Sequence, residues 1–197
     1  MFRFIGTLLI LISLNQSVKS QNLDSVLFNL FFNVQLSRID TGVISYYKNY
    51  SKVKLTGYSR SYMVPRSYNV GDTVFIHLFH FINNSYIDPS FKSGELTVIV
   101  RKTKNEFRVS NLELSVWSND TDLIDKTFQN LSETFSPLSS KKENFKGRDS
   151  SLNPVRTNFW NSDQSIEVGL IRMKHQKIDG VFKNGVIISL RFLKPSP

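Results

Sequence analysis

Two alternating stretches that fold back on one another constrain this chain most. Leu96, Val98 and Val100 are interleaved with Thr97, Ile99 and Arg101. After Thr103-Lys104-Asn105 the alternation returns, with Leu112, Leu114 and Val116 on one side and Glu113, Ser115 and Trp117 on the other. A period of two puts each set on one face of a strand, so residues 95–117 read as an antiparallel hairpin with a buried and an open face. A lone hairpin is marginal in water, so further strands or helices must cover that apolar side.

The rest of the chain supplies strand candidates at similar spacing. Residues 43–50 and 52–58 are rich in Tyr and β-branched side chains. Residues 73–81, T-V-F-I-H-L-F-H-F, form a nearly continuous apolar run that reads as a strand buried on both faces. Residues 164–174 follow the same logic. A last hairpin is expected over residues 177–193, turning at Lys183-Asn184-Gly185, because Asn-Gly between apolar runs favours a tight turn. In residues 22–36, Leu23, Val26, Leu27, Leu30, Phe31 and Val34 fit a helical stripe, but the Phe and Val content also suits a strand, and a strand within 26–36 is the expectation. Residues 122–131 predict two turns of helix. Residues 132–160 are polar and rich in Ser, Pro and Gly, and read as a long loop. The expected fold is mostly β: an antiparallel β-sandwich, or flattened barrel, of about eight or nine strands with at most one or two short helices. No internal repeat recurs at a fixed period.

The first twenty residues have the layout of an export signal. Arg3 precedes an apolar run from Phe4 to Leu14, and Val18 and Ser20 suit a cleavage site before Gln21. The run is too short to cross a bilayer, which takes roughly twenty apolar residues. The domain organisation is therefore a signal peptide over residues 1–20 and a single secreted, extracellular β-rich domain over 21–197, with no transmembrane segment. The chain has no cysteine, which excludes disulfide staples, thiol catalysis and cysteine-ligated zinc. A chain this long, with 16 Phe and 7 Tyr, has enough apolar material to hold a core without them. Within residues 21–197, four N-x-S/T sequons begin at Asn49, Asn83, Asn119 and Asn130 and are the glycosylation candidates. Each falls in a segment read as a loop or strand end.

Formal net charge is +9, and residues 141–197 hold eleven basic against five acidic side chains. Lys141, Lys142, Lys146 and Arg148 are the candidate anion-binding cluster. Such a field favours an anionic glycan or an acidic protein as partner, and export argues against nucleic acid. No catalytic or cofactor motif is present. His77 and His80 stand three apart on an expected strand, so they face opposite ways and cannot share a metal ion. Asp120, Asp122 and Asp125 read as helix N-terminal acids, with Thr121 or Asp122 as the cap. Tyr46, Tyr47, Tyr50, Tyr58, Tyr62 and Tyr68, interleaved with Lys and Arg, could stack sugar rings from an exposed sheet. These features describe a secreted, non-enzymatic binding protein that works through a sheet face or loops. A carrier of a lipid or other hydrophobic ligand, or a binder of anionic membrane surfaces, is the alternative.

The export signal makes a direct prediction. Mass spectrometry of the protein recovered from the medium of a secreting cell gives Gln21 as the first residue, and recovery of intact Met1 there contradicts it.

Overall fold

The structure is a computed structural model that describes residues 22–36, 39–62, 73–84, 86–102, 106–145, 155–178 and 180–193. Eight strands form one antiparallel, unclosed sheet: β1 (Val53–Tyr62), β2 (Thr73–Ile82), β3 (Ser93–Lys102), β4 (Phe107–Ser118), β5 (Lys141–Phe145), β6 (Val155–Trp160), β7 (Ile166–Ile178) and β8 (Val181–Phe192). Their order is β1-β2-β3-β4-β8-β7-β6-β5, which leaves β1 and β5 as the edges. The mostly β, antiparallel class is therefore as expected. Three α-helices, α1 (Leu23–Leu30), α2 (Gly42–Asn49) and α3 (Thr121–Phe135), exceed the one or two anticipated.

The order hides a symmetry. Helix followed by a four-strand meander occurs twice, α1-α2-β1-β2-β3-β4 and then α3-β5-β6-β7-β8. Exchanging the two halves leaves the strand order unchanged. The halves meet at the antiparallel pair β4 and β8, where Leu112 faces Leu190, Leu114 faces Ile188 and Val116 faces Val186. All six are buried. The same inner face continues through Phe79 and Phe81 of β2, Leu96 and Val98 of β3, Val168 and Leu170 of β7 and Phe159 of β6. The helices bury their apolar sides in that same cluster.

Helix α1 replaces the strand expected within residues 26–36. Asn22 closes a capping box with Ser25: Ser25 N donates to Asn22 Oδ1 at 2.8 Å and Asn22 N donates to Ser25 Oγ at 3.2 Å. Leu23, Leu27 and Leu30 then fall on one buried side. The chain leaves α1 through Phe32 (φ 59) and Asn33 (φ 65), and Asn33 N donates to Phe28 O at 2.8 Å. Glycine usually takes such a position. Phe32 occupies it because its ring packs 5.3 Å from Phe81 and 5.7 Å from Tyr50.

Helix α2 likewise overrides the strand expected over residues 43–50. Val43 and Tyr47, four apart, are buried together, and the Tyr47 hydroxyl donates to Phe31 O at 3.1 Å. Helix α3 contains the two turns expected at residues 122–131 and runs a turn further, burying Ile124, Thr127, Leu131 and Phe135. Its cap is Asp120, which accepts from Leu123 N at 3.0 Å, rather than Thr121 or Asp122. The Phe135 ring meets Phe159 edge-on at 5.6 Å.

Three further expectations are corrected. Within the segment expected as a long loop around residues 132–160, α3 extends to Phe135, and β5 and β6 occupy Lys141–Phe145 and Val155–Trp160. Strand β2 is not buried on both faces along its length: Val74 is covered on the outer side, but in the second half Phe79 and Phe81 are covered while Leu78, His80 and Ile82 are exposed. Asn184-Gly185 is not a turn but lies inside β8, paired with Ser118 and Trp117. The chain turns instead at Gly180 (φ 81), between the paired Ile178 and Val181. Gly185 is needed in the strand because a Cβ there would lie 2.3 Å from the Trp117 ring.

Gly94 gives the test of this packing. A Cβ at that position would sit 2.4 Å from the Ser115 carbonyl oxygen and 2.5 Å from the Phe81 ring. The first contact is backbone in the neighbouring strand and cannot swing aside. Gly94→Ala is expected to destabilise the fold by about 1–3 kcal/mol, the usual cost of overpacking. Urea unfolding at constant slope measures it.

Candidate functional site

The outer face of the sheet carries no helix among the described residues, so its side chains must satisfy one another. On β6 and β7 they do. Arg156 lies over Gly169, where a Cβ would approach its guanidinium to 3.0 Å. It donates from Nε to Asn158 Oδ1 at 2.6 Å and bridges Glu167 at 3.1 Å, while Asn158 Nδ2 donates to Glu167 at 2.8 Å. Ser189 Oγ donates to Glu113 at 2.9 Å. These closed arrangements explain how Asn158, Glu167 and Ser189 are buried on an uncovered face.

At one end of β3, β4 and β8 the balance changes. Arg101 and Arg108 stand directly opposite each other across β3 and β4. Arg191 of β8 pairs with Asn111 of β4. The three arginines, with Glu106, Ser110, Asn111 and Phe192, line a surface groove of about 170 Å³. Glu106 binds Arg108 at 2.7 Å and is the one carboxylate among the described lining residues. A register shift opens this groove. Ile99 pairs with Asn111 and Val100 with Val109, which leaves Ser110 as an extra residue on β4 whose hydroxyl donates to Ile99 O at 3.2 Å. Like charges directly opposed on a sheet are destabilising by some tenths of a kcal/mol. Two facing guanidiniums with a third on the next strand form an arrangement that an anion would relieve.

The residues singled out in the sequence are placed differently. Lys141 and Lys142 are neighbours on edge strand β5 and point to opposite faces. Lys141 pairs with Glu143 and sits 4.7 Å over the Trp160 ring. Lys142 sits 5.6 Å over Phe159 and donates to Ser136 Oγ at 3.2 Å. They do not form one site, and Lys146 and Arg148 lie outside the described residues. Of the sequon asparagines, all four are exposed, but two are helical rather than in loops or strand ends: Asn49 closes α2 and Asn130 lies within α3. Asn119 stands at the bend before α3, and Asn83 follows β2 with φ 52.

The tyrosine cluster is likewise rearranged. Tyr46, Tyr47 and Tyr50 lie on or just after α2 instead of on a sheet, and Tyr68 lies outside the described residues. Burial, reinforced by Tyr46, raises the Tyr47 phenol well above its ordinary pKa. Burial, then Tyr50, raises that of Tyr46, whose hydroxyl donates to Phe32 O at 2.6 Å. His77 faces the helices and His80 the outer side, as strand alternation requires. The three acids have separate roles. Asp120 caps α3, Asp122 lies in its first turn, and Asp125 accepts from Arg172 of β7 at 2.8 Å. Sequence reading missed the arginine groove because its members are 90 positions apart and converge only through the β4–β8 pairing. The signal that was present is the basic pair Arg101 and Arg108, which flanks the turn of the 95–117 hairpin.

Comparison with known proteins finds no match, whether to a protein-family model, a curated protein sequence or a solved structure. No helix among the described residues is long and apolar enough to cross a membrane.

His77 makes the fold sensitive to mild acid. Burial, and then the nearby Lys48 ammonium, hold its pKa below the ordinary value of about 6.5. The unfolded chain therefore binds that proton more readily. The His77 contribution is complete above pH 6.5 and is lost as pH falls below it toward the depressed folded value. Thermal midpoints are expected to decline from about pH 7 to pH 5 with a shallower slope in His77→Gln. An unchanged slope contradicts the assignment.

Proposed function

We propose that the protein is an exported, non-enzymatic binding module that engages an anionic glycan or the acidic surface of another protein through the outer face of its sheet. The observation that carries this reading is the convergence of Arg101, Arg108 and Arg191 from three adjacent strands on one groove, where Arg108 binds Glu106 and Arg191 stands opposite Glu167 of β7. Guanidinium groups suit anion binding, since each presents a planar fork of donors that matches sulfate or carboxylate and keeps its charge at any physiological pH. The strands hold the three Cα positions rigidly, so little ordering is needed on binding. Glu167, the cross-strand neighbour of Arg191, is itself held by Arg156 and Asn158.

The space between helices and sheet is filled by the Phe and Leu cluster that includes Phe31, Phe79, Phe135 and Phe159. This supports binding at the surface over carriage of a lipid in the interior. The absence of cysteine and the arrangement of the histidines are in keeping with a non-enzymatic role. Export itself rests on the leader-like residues 1–20.

Retention on immobilised heparin tests the reading. The protein should elute at elevated salt, because exposed charges are screened over about 8 Å at physiological ionic strength and progressively less far above it. Replacing Arg101, Arg108 and Arg191 together by Ser should shift elution to markedly lower salt. Lys141→Ser with Lys142→Ser should shift it less, since those two ammoniums do not converge. Equal effects of the two sets would show that net charge alone, and not the groove, governs binding.

A further inference from the structure

At the opposite end of β2 and β3 from the arginines lies a second concavity, polar instead of cationic. It has a volume of about 170 Å³ and gathers Asn29 of α1, Asn33 just beyond it, Tyr50, Lys52, Asn83 and Tyr86. From these residues we infer a saccharide-binding pocket that accepts a single pyranose ring.

The first argument is the chemistry of the lining. The side-chain amides of Asn29, Asn33 and Asn83 have no hydrogen-bond partner among the described residues, nor do the Tyr50 and Tyr86 hydroxyls or the Lys52 ammonium. Each amide offers two donors and a carbonyl acceptor. Such groups match the hydroxyls of a sugar, each of which is donor and acceptor at once. The Tyr86 side chain, about half exposed, supplies an aromatic surface at the rim against which the C–H face of the ring can lie.

The second argument is rigidity. Asn84 is buried beneath the pocket and pins its wall. Its Nδ2 donates to Leu30 O at 2.8 Å, at the end of α1, and its Oδ1 accepts from Tyr86 N at 3.0 Å. Asn83 N donates to Lys92 O at 3.0 Å and Ile82 N to Lys52 O at 3.0 Å. On the other side, Phe32 holds the turn that presents Asn33, locked by its ring contacts with Phe81 and Tyr50. The walls are thus set by a buried amide and an aromatic cluster while the polar side chains of the lining stay uncommitted among the described residues, as a preformed site requires.

Size selects the ligand. The volume is below the roughly 300 Å³ at which pockets take drug-sized molecules. It equals the share of about five or six waters, which suits one ring with its neighbours in solvent. Lys52 at the edge favours a ring bearing an acidic substituent. The ring can belong to a free glycan or be the first sugar attached to Asn83, whose side chain lines the pocket.

Saturation-transfer NMR tests this on protein made without glycosylation, with methyl glycosides of glucose, galactose, mannose and N-acetylglucosamine and with glucuronic acid at millimolar concentration. At least one is expected to receive saturation. Asn33→Ala and Tyr86→Ala should each weaken binding by about tenfold, the loss of one or two good contacts. Both positions are exposed, so the thermal midpoint should hold. The same measurement on protein from a glycosylating cell distinguishes the sources: a free glycan binds both preparations, whereas a ring carried on Asn83 abolishes binding in the second. No signal from any of the five sugars with the unglycosylated protein, or a signal that survives both substitutions, overturns the proposal.

Discussion

The pairing of β4 with β8 is the interaction that organises everything else. Each half of the chain makes a four-strand meander that could bury only part of its apolar side. Joining them through Leu112–Leu190, Leu114–Ile188 and Val116–Val186 turns two incomplete faces into one continuous core wall. The junction spans some eighty residues of sequence, so its closure cost is substantial, though it grows only slowly with loop length. What offsets it is the burial of six aliphatic side chains at the centre of the sheet, each contributing roughly 1.5–3 kcal/mol.

That junction also decides where polar chemistry can sit. Once all three helices cover the inner face, the outer face must solve its hydrogen-bonding needs within a single layer. Most of it does, through short networks such as Arg156 with Asn158 and Glu167. The arginine groove is where three cationic side chains of this face meet. It exists because β8, arriving beside β4, places Arg191 next to a cationic cross-strand pair. The amide pocket at the other end has a separate origin in the way α1 leaves its last turn and the residues after β2 clasp it.

Legibility in the sequence followed the range of the interactions. The 95–117 hairpin was readable because its pattern and its pairing are both local. So was the core of α3, where cap and apolar stripe are close in sequence. The start of the chain was misread because a helical stripe and a strand composition coincide there, and the deciding element is a capping box that places Ser25 three residues after Asn22. Helix α2 was misread for a different reason. Its tyrosines favour a strand by propensity, but Tyr47 contributes more buried against Phe31 and Phe79 than on an edge. Asn184-Gly185 misled because glycine serves two purposes. The residue that looked like a turn former is there to admit the Trp117 ring. Of the residues marked as candidate sites, only positions were legible: Lys141 and Lys142 are adjacent in the chain, yet strand alternation sends them to opposite faces.

Local pattern and composition were enough to set the class: antiparallel strands, a core rich in phenylalanine, no covalent staples and an excess of positive charge. Those follow from residue content and from periods of two and three to four residues, which act between neighbours. The twofold plan of the sheet, the choice of covered face and the meeting of distant side chains in one groove came from long-range packing alone. The pairing of β4 with β8 leaves no local trace. Any strand with one apolar face can pair with any other, and the choice falls to whichever arrangement buries both halves at once.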